Sequence, residues 1–430
     1  MSGQRHLSRC MFWYTVITVI VVFLYDGLQD SIIAPTFPIQ SKVVHNSGET
    51  FIGLTMASNE VGNLIASLLV FHFFSSIAPK KYHFIVLCSI SGACVISFGI
   101  SDGIQNKYVY QFLQVFLRAT SGVAVGFNYC FAVVFLSLIS ETQKMRAILI
   151  TTVSTVFYTG ISIAPLLAII LIEPLGYTNI LLIIGGLALV TAGFLVFAPS
   201  VEMETQTENS KQSQVIKPFL ILKRKRILIQ MYCQLVTYIV WGFVEASLAL
   251  FLFLGFGANQ ITVGYVFSVG TAITLLSSLA SIYINSKELH KLNFATSIFI
   301  QNLAMTLLSF SAYHKWFSGV VWGYCLHSFA RSMTSGASVL YMNDLIENEI
   351  ENASSSSIGI SSSVSNILTL SGRSIGLFFF GGLLFDHIGY FITVITVLCL
   401  LVIAALGQAY ILLFPNQIKD DKRSKYESLG

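Results

Sequence analysis

The chain has 430 residues, 55% of them hydrophobic and only 10% charged, with a mean hydropathy of +0.76. A soluble domain carries about 25% charged residues, so these charges are too few to cover a soluble fold of this size. A soluble enzyme, a secreted disulfide scaffold and a disordered chain are excluded together, leaving a polytopic membrane protein.

A spanning helix needs about 20 mostly apolar residues. Twelve such segments follow one another, at 11–38, 51–74, 83–101, 108–138, 147–172, 178–198, 227–255, 260–284, 293–313, 316–343, 357–386 and 390–414. The first carries Asp26 and Asp30 and ends in Pro35-Thr36-Phe37-Pro38. No small-residue cleavage site follows Met11–Tyr25, so it reads as a retained span. The second opens with Ile52-Gly53 and carries Glu60. The fourth holds Arg118, with Ser121-Gly122 one turn on. The fifth contains Gly160-x-x-x-Ala164-Pro165 and is followed by Leu175-Gly176-Tyr177.

A longer polar stretch, 199–226, ends in Lys223-Arg224-Lys225-Arg226 and divides the chain. The expected organisation is a six-helix bundle at 1–198, a central loop at 199–226, a second bundle at 227–414 and a tail at 415–430. The seventh span carries Trp241 and Glu245, and the eighth opens with Val263-Gly264. The tenth carries Tyr324, His327 and Arg331, with Ser335-Gly336 beyond. The eleventh contains Gly372-Arg373-x-x-Gly376 and leads to Ile388-Gly389-Tyr390. The second half thus repeats the first at an offset of 211–214 residues, as in Ile52/Val263, Arg118/Arg331 and Gly176/Gly389. By an offset of 219, Glu245 is placed opposite Asp26.

An even number of spans puts both termini on one side. Of the 24 Lys and Arg residues, 18 fall on the side of the termini; Lys42, Lys107 and Lys315 lie opposite, and Arg118, Arg331 and Arg373 lie inside spans. The bias predicts that both ends are cytosolic. The seven cysteines are scattered without a CxxC pair, so neither a disulfide framework nor a metal site is expected.

Seven charges sit inside spans: Asp26, Asp30, Glu60, Arg118, Glu245, Arg331 and Arg373. Each costs about 3 kcal/mol on insertion scales, roughly 20 kcal/mol for the set, which argues against lipid-facing positions. At 1.5 Å of rise per residue, Glu60 and Arg118 fall about 15 Å from the lumenal ends of their helices. Asp30 is placed one turn beyond Asp26, at the rim of a cavity. Alternate binding of a proton and a cationic substrate needs carboxylates in a partly dehydrated cavity, so Asp26, Glu60, Glu245 and Asp30 are the candidates for coupling and binding. Arg118, Arg331 and Arg373 are their basic partners.

Two parallel six-helix halves joined by a cytosolic loop resemble the major facilitator superfamily. In that fold the helices that carry the seven charges line or flank a central cavity, while spans 3, 6, 9 and 12 face lipid. Asp26, nine residues before Pro35-x-x-Pro38, resembles the vesicular amine transporters of the drug:proton antiporter branch. Ser31-Ile-Ile-Ala-Pro-Thr-Phe-Pro38 is most similar to the polyamine type. Ile52-Gly-Leu-Thr-Met-Ala57-Ser58 and Glu245-Ala-Ser-Leu248 are similar to segments of the same branch, and Arg118-x-x-x-Gly122 to the facilitator pattern of the fourth span. The resemblance implies a transporter driven by a proton gradient, with no cofactor, and Asp26 and Glu245 in proton coupling or amine recognition. Asn59 stands where monoamine and acetylcholine carriers have Lys, and Arg331 and Arg373 lie in spans where those carriers have acids, which points away from classical monoamines.

Gly372-Arg-Ser374-Ile-Gly376 matches a hydrolase elbow by chance, because that motif needs a strand-turn-helix and a triad. With no P-loop and no HExxH, no enzymatic activity is expected. Tyr426-Glu-Ser-Leu429 has the form read by sorting adaptors, which makes such an adaptor a candidate partner. The remaining expected partners are the bilayer, protons and a small cationic substrate, with no nucleic acid. The expected function is proton-coupled antiport of a small organic cation in a vesicular, lysosomal or plasma membrane. The alternatives are a facilitator for an organic anion centred on Arg331 and Arg373, and a non-transporting receptor or scaffold.

Overall fold

The computed structural model describes residues 9–73, 80–139, 143–197, 223–349 and 357–414. Most of the central loop, the tail and the Tyr426–Leu429 motif lie outside the described residues. Each of the twelve predicted spans falls on helix where it is described. The first span is two helices, α1 (Arg9–Ser31) and α2 (Ile33–His45). Pro35 cannot donate to the Ser31 carbonyl and its ring crowds it, so the helix breaks at Ile32, one turn before the proline. Spans 2, 3 and 4 are α3 (Glu49–Phe73), α4 (Lys81–Ile100) and α5 (Lys107–Ile139). Spans 5 and 6 run together as α6 (Gln143–Phe197), broken only at Gly176.

The second half contains α7 (Lys225–Phe256), α8 (Gln260–Ser286), α9 (His290–Tyr313) and α10 (Phe317–Glu349). Then come α11 (Ser357–Ile375), a π-helical segment over Gly376–Leu384, and α12 (Phe385–Leu413), broken at Gly389. Gly176 and Gly389, 213 positions apart, adopt nearly the same backbone, φ 76° and ψ 168° against φ 78° and ψ 166°. A positive φ is open to glycine without steric cost, so the pair marks the same turn in each half.

By length and hydropathy alone, seven stretches of the described residues qualify as membrane spans. One of them, Ser363–Leu413, holds all of span 12 and most of span 11. The seven miss α3, α5, α10 and most of the first half of α6. α3, α5 and α10 carry the interior charges Glu60, Arg118 and Arg331, and the first half of α6 carries Thr151, Thr152, Ser154 and Thr155, which lower their hydropathy.

In the first half α1 packs on α6, α3 on α5, and α4 on both α5 and α6; in the second α7 packs on α11 and α12, α8 on α10, and α9 on α10 and α12. Glycines set the crossings. A Cβ on Gly27 would run into the Phe157 carbonyl of α6, and one on Gly160 into the Leu24 carbonyl of α1. A Cβ on Gly242 would likewise hit the Arg373 carbonyl, and one on Gly376 the Ile239 carbonyl. The equivalent crossings are therefore 27/242 and 160/376, offsets of 215 and 216. This corrects the alignment of Glu245 with Asp26: at an offset of 215 the mate of Glu245 is Asp30.

The outer faces of α4, the second half of α6, α9 and α12 expose Val86, Ile90, Val190, Phe194, Phe299, Leu303, Ile403 and Leu406. Only lipid accommodates a continuous apolar belt of this kind. None of the seven interior charges lies on these helices.

The two halves meet where α3 packs on α11 and the π-helical segment, α6 on α8, and α2 on α7 and α8. On the face opposite the Arg9 and Leu413 helix ends, the Gly53 and Gly382 backbones touch, since a Cβ on Gly53 would lie 2.7 Å from the Gly382 Cα. There Thr50 Oγ1 donates to Asp386 Oδ2 at 2.6 Å, linking α3 to α12 across the halves. Asp386→Ala removes this exposed charged hydrogen bond, about 1–2 kcal/mol, and is expected to shift the open–closed equilibrium of this face about 5–30-fold toward open. Accessibility of a cysteine placed at Gly48 to a membrane-impermeant thiol reagent measures the shift, and unchanged labelling would refute the latch.

Candidate functional site

Side chains from three helices converge on one guanidinium of a fourth. Arg373, on the last turn of α11, is 5% exposed. Its Nη1 lies 2.8 Å from Glu60 Oε1 on α3. Its Nη2 donates to Asp30 Oδ2 on α1 and to Glu245 Oε2 on α7, each at 3.0 Å. Asp30 Oδ1 accepts from Asn59 Nδ2 at 3.1 Å and faces Arg118 Nη2 of α5 at 3.7 Å. All five charged groups are less than one-tenth exposed. Asp30, Glu60 and Glu245 thus meet Arg373 and Arg118, and Arg331 stands close by over the Trp241 ring.

The local sequence explains the convergence. Gly242 lets the α7 backbone reach the Arg373 carbonyl, which brings Glu245, one turn on, beside the Arg373 side chain. Gly122 does the same for α5 against the Asn59 backbone of α3, drawing Arg118 and Glu60 to one depth. Such burial would cost several kcal/mol per isolated ion and is tolerated because each acid has a cation within reach.

Trp241, one turn before Glu245, carries two guanidiniums against its ring, Arg331 at 4.3 Å and Arg373 at 4.4 Å from the centroid. The indole is a cation–π surface that the protein's own arginines occupy. Beside it lies a cavity of about 10 Å³, lined by Ser31, Trp241, Glu245, Tyr324, His327 and Arg331 among others. It has room for about one water. His327 is buried, with Nδ1 3.5 Å from Gln301 Nε2, consistent with packing.

Two sequence expectations change. Asp30, placed at a cavity rim, is the carboxylate shared by Arg373 and Arg118. Asp26 stands apart from the Arg373 centre. It is 1% exposed, its carboxylate oxygens have no hydrogen-bond partner among the described residues, and the Asn128 amide lies beside it. Four residues of helix turn the side chain by about 40° and raise it about 6 Å, enough to send Asp26 toward α4 and α5 and Asp30 toward the centre. Next to Asp26 runs a network the sequence reading did not single out: Tyr25 OH and Ser91 Oγ each donate to Gln29 Oε1 at 2.9 Å, and Ser121 Oγ does so at 3.3 Å. The signal was present, since Gln29, Ser91 and Asn128 are polar residues within apolar spans.

The Gly53–Gly382 and Thr50–Asp386 contacts close the far face. Beyond the far-face contacts, Asn366 Nδ2 of α11 reaches Ser67 Oγ of α3 at 3.5 Å, toward the side of the termini. A helical bundle whose two halves share a centre of buried charges has the architecture of a membrane transporter. The sequence profile of the Major Facilitator Superfamily matches residues 19–372, and the chain belongs to that family.

Several solved structures share the fold at low sequence identity. The nucleoside transporter NupG is 13% identical with a TM-score of 0.69, covering 94% of this chain and 99% of its own. A D-xylose–proton symporter is 14% identical with a TM-score of 0.70, covering 92% and 97%. A bacterial homolog of the human lysosomal transporter Spinster, inward-facing and unoccupied, is 12% identical with a TM-score of 0.70, covering 94% and 97%. No curated protein sequence matches the chain.

Proposed function

We propose that this transporter exchanges protons for a small organic cation by alternating access. Asp30, Glu60 and Glu245 form the cation-binding centre and Asp26 carries the proton. The observation that carries the reading is the centre itself: three buried carboxylates gathered within 3.0 Å of one guanidinium. Anion carriage centred on Arg331 and Arg373 is the weaker reading, because three carboxylates already occupy Arg373 and an anion would meet their charge. Asp26, outside the clamp and with no cation paired to it among the described residues, is the carboxylate left to exchange a proton. The helix-1 and helix-7 resemblance to vesicular amine transporters agrees with a cationic substrate, a polyamine or other amine, and with antiport.

Uptake into proteoliposomes with an acidic interior, screened over amines and organic anions, tests the reading. Amine uptake that collapses with the pH gradient is expected. Uptake that survives the collapse rules out antiport, and uptake of anions alone rules out the cation. Asp26→Asn is expected to abolish gradient-driven uptake while leaving substrate affinity within a few-fold. Glu245→Gln is expected to weaken affinity by about 1.5–3 kcal/mol, roughly 10–150-fold, as loss of a charged hydrogen bond. Normal uptake by either variant would remove that residue from its assigned role.

A further inference from the structure

Arg373 is held in the manner of a bound ligand. Two of its nitrogens meet three carboxylates at 2.8–3.0 Å from three different helices, and the guanidinium carbon lies 4.4 Å from the centre of the Trp241 ring. A structural ion pair needs one acid, and two further buried carboxylates on the same cation add only desolvation cost unless something uses them. The seat is also incompletely filled. Glu60 Oε2 and Trp241 Nε1 are buried without a hydrogen-bond partner among the described residues, and Arg373 Nε donates to nothing there. Tethered by its side chain, Arg373 cannot turn to satisfy Glu60 Oε2. An untethered guanidinium, free to turn in the seat, can.

We propose that Arg373 occupies, in the empty carrier, the seat of the transported cation, and that the ligand replacing it is a small guanidinium-class cation. This rests on the reading of the centre as a cation site. The shape of the seat selects the class: a planar, weakly hydrated, forked donor matches several carboxylates and an indole face at once, whereas a compact, strongly hydrated ammonium does not. Arg331, also against Trp241 at 4.3 Å, shows that the ring accepts a second guanidinium. The small cavity beside Glu245 and Trp241 is where an arriving cation first competes with Arg373. With no substrate bound, the tethered cation stays paired with the three acids while the empty carrier reorients.

The test is thermal unfolding of the purified full-length Arg373→Ala protein with low millimolar methylguanidinium, with methylammonium at the same concentration, and with wild type alongside. The expected result is an upward Tm shift of several degrees for the variant with methylguanidinium, little with methylammonium, and none for wild type, whose seat is filled. Equal shifts with both cations overturn the assigned class, and no shift in a folded variant overturns the seat. An equal shift in wild type places the binding elsewhere and also overturns it. Where Arg373→Ala alone does not fold, the double variant Arg373→Ala with Glu60→Gln lowers the uncompensated charge and takes the same test. Recovery of folded protein only with methylguanidinium present supports the seat, and failure of every cation to recover it overturns the proposal. Wild-type uptake separates the two readings. Absent organic-cation uptake with a responsive variant sinks the transport reading alone, and amine uptake with a silent variant sinks the seat alone.

Discussion

Replacing Arg373 with alanine is expected to destabilise the protein more than any other single change at the centre, by about 3–5 kcal/mol, because it leaves buried acids without their common partner. Asp30, Glu60 and Glu245 lie within 3.0 Å of this one side chain, and Asp30 also faces Arg118 at 3.7 Å. The loss should appear as a large fall in Tm and in the yield of folded protein. It should be partly reversed by Glu60→Gln, since removing one acid lowers the uncompensated charge. A double-mutant cycle measures this directly, because residues sharing a partner are non-additive. Strict additivity of the two changes would show that Arg373 and Glu60 act independently and would refute the shared clamp. Arg373→Lys is expected to recover only part of the loss, since an ammonium cannot bridge three carboxylates in a planar fork.

The second large effect is expected from Gly53→Val. A Cβ at this position would stand 2.5 Å from the Leu377 carbonyl oxygen and 2.7 Å from the Gly382 Cα, both backbone atoms of the opposite half. Overpacking costs about 1–3 kcal/mol, and here the cost falls only on conformations in which the far face is closed. The equilibrium should therefore move about 5–150-fold toward far-face-open states. Each half should stay folded, because the contact is between halves. Transport should fall by about the same factor, while a spin-label pair across α3 and α12 reports a longer distance. An unchanged distance distribution would show that the Gly53–Gly382 contact does not gate this face. The effect has the same direction as that of Asp386→Ala and exceeds it, because a backbone clash cannot be relieved by rotating a side chain.

Much of the fold was legible in the sequence because its signals are local or periodic. Apolar runs of about 20 residues mark spans whatever their neighbours. The repeated Gly-Tyr turns, Gly176-Tyr177 and Gly389-Tyr390, reappear as the same positive-φ backbone. The candidate site was legible as a set of residues: all seven interior charges lie on α1, α3, α5, α7, α10 and α11. How they meet was not, because that depends on the rotation of each helix about its axis. The offset of 219 paired Glu245 with Asp26 on chemical likeness, whereas the glycine crossings pair it with Asp30, and both donor contacts of Arg373 Nη2 go to that pair. Trp241 was legible as an aromatic near an acid. That arginines from α10 and α11 both reach its ring depends on three helices at once.

By itself the sequence determined that this protein lives in a bilayer, how its spans follow one another, and which helices carry charge, since each is a property of one segment and its transfer free energy. Only the tertiary structure decided that three of four buried acids share one guanidinium while Asp26 stands apart. Asp26 and Asp30 are one helical turn apart on the same span, about 40° and 6 Å by the geometry of the helix itself, but which neighbours the two then face is set by how α1 is seated on α6 where Gly27 meets Gly160.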